Sequence, residues 1–192
     1  MTITARKGPI VAVVSLFLLA AVVGCVSTEK RYKKGQQLES QGRLEEAAQR
    51  YITVLTKDPN MEDARQRLAE VGAKVVDDYL KEARANEADG YFENVVAAIL
   101  RIDGLRARTE QVGIAIPVPD DYADFRLDMV DAAVTSLFRQ SEDLERSGRW
   151  PDALQRYERM LPYPLDPDQR LRVDDARARV HLQWAGQDME RG

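Results

Sequence analysis

Cysteine and histidine are nearly missing from this chain: one of each stands among 192 residues. A single cysteine excludes an internal disulfide, and a single histidine excludes most histidine-based metal sites. That histidine, His181, lies between Val180 and Leu182 on a charge-dense stretch and has no second imidazole to pair with, so it reads as solvated or half-packed. Also absent are a glycine-rich phosphate loop, an H-E-x-x-H and a C-x-x-C. Adjacent carboxylates are common (Glu45-Glu46, Asp77-Asp78, Asp120-Asp121, Asp174-Asp175). Neighbours in sequence do not share a helix face, so spacing makes none of them an acid–base dyad. Catalysis needs a nucleophile or an acid–base pair with tuned pKa values. The expectation is a chain that is not an enzyme, with no catalytic residues, no metal and no cofactor.

Positive charge is not in excess either. The formal net charge is −4, and the first 24 residues carry Arg6 and Lys7 but no acid, so the remaining 168 sit at −6. Phosphate binding wants a net basic face, which argues against nucleic acid as a partner. Aromatics are few, while alanine, leucine, glutamate and arginine dominate. That composition favours helix. The length beyond residue 24 corresponds to about one domain, enough to bury a core.

Long apolar runs are confined to the N-terminus. Arg6 and Lys7 precede PIVAVVSLFLLAAVV, residues 9–23, and Gly24-Cys25 follows. This is the charged, apolar and small-residue order of a secretory signal. The run is shorter than the roughly 20 residues of a membrane-spanning helix. Val22-Val23-Gly24-Cys25 resembles the lipobox of bacterial lipoproteins, with Val22 where leucine is usual. The resemblance implies cleavage after residue 24, a diacylglyceryl thioether on Cys25 and acylation of its new amino group with a palmitate-type chain. Several acyl chains on one residue suffice for stable anchoring. Two other readings of the segment are an uncleaved single-pass anchor and an ordinary buried cysteine. Val26, rather than aspartate, follows the cysteine, which by the same resemblance points to the outer membrane, facing the periplasm.

The remainder reads as helices punctuated by glycine and proline. A helix from Thr28 or Glu29 to Gln41 ends at Gly42, which is free to take φ > 0. A second, Leu44 to Lys57, sets Leu44, Ala47, Ala48, Tyr51, Val54 and Leu55 on one face and stops before Pro59. Gly35, Leu38, Gly42, Ala47, Tyr51 and Pro59 resemble the small and large packing positions of a tetratricopeptide repeat. Arg31 departs from the usual aromatic, with Tyr32 beside it, and Val54 from an alanine. Ser141, Gly148, Ala153, Tyr157 and Met160 repeat the pattern 106 residues later, with Pro162, Pro164 and Pro167 crowded where one proline is expected.

Between these lie a long helix, Met61 to Ala88, with Asn60 and Asp63 as its capping pair, and a shorter one facing Phe92, Val95, Val96, Ile99, Ile102 and Leu105 inward. Gly113 to Pro119 cannot be helix interior and reads as extended, either a loop tucked on its own core or a partner-binding strand. A helix from Asp120 or Asp121 to Ser147 follows. Pro151 stands in a first turn, and Asp166 with Gln169 caps a last helix to Ala185. The charged surface of that last helix suits a terminal repeat, which must be polar outside.

The expected architecture is therefore all-α: a TPR-like right-handed superhelix of about seven helices (α-α hairpins) after a cleaved lipoprotein signal peptide. Its divisions are the signal peptide 1–24, acylated Cys25 with a tether 25–30, helical parts 31–108 and 120–187, the proline-containing linker 109–119 and a polar tail 188–192. By the resemblance, the first helix of each pair lines a concave surface, so Tyr32, Gln36 and Glu39 would face it from the first pair and Phe138, Glu142 and Glu145 from the last. Phe138 follows the core residue Leu137 and should point partly away from the core. The alternative is that these six are simply solvated faces. The function implied is a membrane-anchored scaffold or assembly adaptor in the bacterial cell envelope, its partner an unidentified envelope protein or peptide. Two alternatives are a self-associating structural protein and a small-molecule or lipid carrier.

Overall fold

The computed structural model describes residues 28–191, of which 188, 190 and 191 are described in backbone only. Cys25 and the expected signal peptide lie outside the described residues. Those described form seven helices and no strand: α1 over 28–40, α2 Leu44–Leu55, α3 Glu62–Ala88, α4 Phe92–Glu110, α5 Tyr122–Arg146, α6 Trp150–Glu158 and α7 Pro167–Arg191. An all-helical chain is what the residue composition and apolar spacing call for.

Glycines close α1 and α5 in the same way. Gly42 and Gly148 take φ of 73° and 69°, a region that costs other residues through their Cβ. Around each, two amides reach back to orphan carbonyls: Gly42 to Glu39 and Arg43 to Leu38, Gly148 to Glu145 and Arg149 to Leu144, each at 2.9 Å. This is the six-to-one and five-to-two closure of a Schellman ending. The start of α7 is capped reciprocally. The Gln169 amide donates to Asp166 Oδ1 at 2.8 Å, and the Asp166 amide donates to Gln169 Oε1 at 3.2 Å.

Three local expectations are revised. The helix α3 opens at Glu62, with the Met61 carbonyl accepting the Ala64 and Arg65 amides, so Met61 rather than Asn60 holds the cap position. The helix α7 continues to Arg191 through the expected polar tail, since no glycine with φ > 0 and no proline interrupts it. Its outer face is not wholly polar: Leu171, Leu182 and Met189 are exposed.

The chain divides into two compact units, and neither is a continuous stretch of sequence. The first comprises the described residues up to Val75 together with Leu105–Ile116. Its core holds Leu38, Ala47, Tyr51, Val54, Leu55, Leu68 and Val71. Residues 114–116 belong to no helix or strand, and Ile114 and Ile116 are buried. Gly72, interior to α3, makes room for this segment: a Cβ there would lie 2.7 Å from Ile116 Cδ1. The segment's carbonyls are satisfied by guanidinium groups, Arg65 Nη2 on Gly113 at 3.1 Å and Arg106 Nε on Ile116 at 3.1 Å.

The second unit comprises Val76–Gly104 and the residues from Pro117 onward. Here α6 packs on both α5 and α7. One cluster gathers Val96, Val130, Ala133, Val134, Leu137, Phe138, Tyr157, Met160, Val173 and Val180, and a smaller one holds Ala83, Val95, Ala98, Ile99 and Phe125. Arg84 stacks over the Phe125 ring at 3.8 Å while bonding Asp121 at 2.8 Å.

Candidate functional site

Each of the two hairpins α1–α2 and α5–α6 carries a tyrosine buried to zero exposure, Tyr51 and Tyr157. Tyr51 fits because Gly35 has no side chain; a Cβ there would meet Tyr51 Cε1 at 2.6 Å. Tyr32 packs on it at a ring-centroid distance of 5.7 Å. The Tyr51 hydroxyl donates to Glu39 Oε2 at 2.8 Å, and Arg67 of α3 donates to Glu39 Oε1 at 3.3 Å. Burial, then the bond to the Glu39 carboxylate, raises the Tyr51 phenol well above its ordinary pKa. Arg67 is raised in turn, chiefly by the charge of Glu39.

The second cluster has the same plan. Phe138 stands edge-on to Tyr157 at 5.3 Å. The Tyr157 hydroxyl donates to Glu145 Oε1 at 2.7 Å, and Arg179 of α7 grips both oxygens at 3.1 and 3.3 Å. Ser141 stands where Gly35 stood, fully buried, its hydroxyl donating to the Leu137 carbonyl at 2.7 Å. Burial and Glu145 raise the Tyr157 phenol as they raise that of Tyr51. Each polar circuit has a purpose at this depth, since a buried hydroxyl without a partner costs about 1–3 kcal/mol.

Beside the first cluster a pocket of about 360 Å³ opens, lined by Tyr32, Gln36, Asp63, Gln66, Arg67 and Glu70. Arg67 is already paired with Glu39 and approaches Glu70 at 3.8 Å, so the pocket rim is acidic on balance.

The six expected groove residues thus divide by role. Gln36 and Glu142 are exposed, and Gln36 donates to the Tyr32 hydroxyl at 3.2 Å. Glu39 and Glu145 are half-buried and bound into the tyrosine circuits. Tyr32 is buried. Phe138 is buried as well and does not turn outward: it is held between Tyr157 and the guanidinium of Arg172, which lies 4.8 Å above its ring. On a helix the residue after a core position is rotated by only about 100°, which still faces the core when a third helix covers that side.

Nothing in the sequence marks Arg67, while Arg172 and Arg179 read there only as part of the charged outer surface of the last helix; the structure turns both toward α5. Arg67 and Arg179 do not share the 106-residue spacing of their partners, so no repeat pattern marks them. His181 is exposed. Among the described residues no group of three or more His, Cys, Asp or Glu is placed to hold a metal ion, and no helix is long and apolar enough to cross a membrane. No family model, curated protein or solved structure matches the chain.

Proposed function

We propose that this protein is a non-enzymatic scaffold of the bacterial cell envelope, built of tetratricopeptide-like helix pairs, tethered through acylated Cys25 to the periplasmic face of the outer membrane, and binding another protein. The observation that carries the reading is the recurrence of one construction: Tyr51–Glu39–Arg67 and Tyr157–Glu145–Arg179, each on a glycine-closed helix pair followed by a third helix. Helix pairs of this kind stack to bury apolar faces that one pair cannot bury alone, and the resemblance to tetratricopeptide repeats implies that the first helix of each pair faces a partner. Gln36 on α1 and Glu142 on α5 are the exposed members of those faces. With Tyr32 and Phe138 buried, recognition rests on polar side chains and weakens with salt.

The test uses the full chain expressed in a bacterial host. Intact-mass analysis of the membrane-extracted protein is expected to show an N-terminal triacylated cysteine, and Cys25→Ser is expected to release the protein from membranes. A photo-crosslinking residue at Gln36 or Glu142 should capture one common partner, where the same probe at exposed Asp77 does not. An unmodified residue 25 with the leader retained rejects the tether. Identical capture from all three positions rejects the face.

Self-association is the second reading, favoured by one observation: Leu171, Leu182 and Met189 recur at helical spacing along the exposed side of α7. Light scattering that shows mass rising with concentration, and Leu182→Glu abolishing the rise, would place it ahead of the adaptor.

A further inference from the structure

A second groove lies in the compact unit that contains α5 and α7, apart from the residues of the proposed binding faces. It has a volume of about 470 Å³ and is lined by Leu127, Asp128, Val130 and Asp131 of α5 and by Pro164, Leu165, Asp166 and Gln169 at the entry to α7. Leu127 is 60% exposed, one of few large apolar side chains left in solvent among the described residues. With Val130, Pro164 and Leu165 it makes an apolar floor. No lysine or arginine lines the groove, and among the described residues none forms an ion pair with Asp128, Asp131 or Asp166.

The walls are also fixed in place. Gln169 donates to Asp131 Oδ1 at 3.2 Å and completes the reciprocal cap with Asp166. Arg170 holds the Leu161 carbonyl at 3.2 Å, and Tyr163 is buried beneath the connection. A groove held open before binding loses little entropy when it is filled.

From the apolar floor and the three unneutralised carboxylates, we infer that this groove docks a cationic amphipathic helix of a partner protein, its leucine-type side chains against Leu127 and Leu165 and its lysines or arginines facing Asp128, Asp131 and Asp166. Helix-in-groove recognition uses such anchors at three- and four-residue spacing. Opposite charges on the rim set the partner's sign and speed its approach. The inference stands whether or not the α1 and α5 faces bind anything.

The experiment measures fluorescence anisotropy of a labelled four-turn leucine–lysine amphipathic peptide titrated with the full chain, at several salt concentrations. A leucine–glutamate peptide of the same pattern is the comparison. The lysine peptide is expected to saturate at one site with affinity falling as salt rises, and the glutamate peptide to stay free. Leu127→Asp and the double variant Asp128→Lys, Asp131→Lys should each weaken binding by about tenfold or more, as central anchors and their paired charges do. Both alter exposed residues, and circular dichroism checks that helicity is kept; Asp128→Asn with Asp131→Asn gives a milder form of the same loss. Glu45→Lys with Glu62→Lys, the same charge change on residues outside the groove, should leave affinity within about twofold. Equal weakening by the Glu45 and Glu62 variant would reduce the effect to overall charge and overturn the site. So would full binding by Leu127→Asp. A concentration-dependent doubling of mass that Leu127→Asp abolishes would make a second copy of the chain the occupant, and would overturn the assignment to a partner helix.

Discussion

Tyr51 and Tyr157 are each buried with one hydroxyl, and a half-buried glutamate accepts a hydrogen bond from it. Tyr51→Phe or Tyr157→Phe should lower unfolding free energy by about 1.5–3 kcal/mol, the range for a hydrogen bond to a charged group, seen as a shifted urea midpoint with the slope unchanged. Both phenols are raised above their ordinary pKa, and Tyr163, mainly through burial, is pushed up to about 12. The sign follows from proton counting. Above about pH 10 unfolded tyrosine ionises while these folded phenols keep their protons, so the unfolded state binds fewer protons and stability falls as pH rises. Stability should therefore be insensitive to these groups below pH 10 and decline between there and pH 12. The double variant Tyr51→Phe, Tyr157→Phe should flatten the decline in an alkaline thermal-melt series. Gly35→Ala acts on the same packing. Its methyl would meet the rigid Tyr51 ring at 2.6 Å, and overpacking of this kind costs about 1–3 kcal/mol.

Helix ends and helix contacts set the next level. Asp166→Ala removes one half of the reciprocal cap on α7 and should cost about 0.5–2 kcal/mol, measured by chemical denaturation. Inside α3, Gly72 gives up about 1 kcal/mol of helix preference relative to alanine so that Ile116 can lie against the helix. The nearest atom is Cδ1 at 2.7 Å, the far end of the side chain, which valine lacks; Cγ1 at 3.1 Å is also close, and valine keeps it. Gly72→Ala should be neutral or destabilising alone, and less costly in an Ile116→Val background. A double-mutant cycle with no coupling between the two would contradict the packing described.

At the scale of the whole molecule the two compact units take their residues from separated parts of the chain, residues 28–75 with 105–116 and 76–104 with 117 onward. Cutting the chain at the proline-containing stretch should therefore give poor fragments. Residues 120–192 alone lack Val95, Val96, Ala98 and Ile99, which complete the clusters around α5, and should melt with little cooperativity and bind a hydrophobic dye. Much of the local structure was legible beforehand. Apolar spacing marked the buried stripes Ala64–Leu68–Val71–Val75 and Val95–Ile99–Ile102, glycine marked the endings at 42 and 148, and Asp166 with Gln169 marked the start of α7, because each is decided within one or two helical turns. Residue order alone specifies a helical chain, its punctuation and the 106-residue echo of one hairpin in another. It took the packed fold to bury Phe138, to bring Arg67 and Arg179 to the tyrosine circuits, to seat Ile116 in the notch of Gly72, and to leave Leu127 exposed beside three carboxylates that have no ion-pair partner among the described residues. These depend on which helices meet across long separations, and a side chain's periodicity along its own helix carries no information about what lies on the other side.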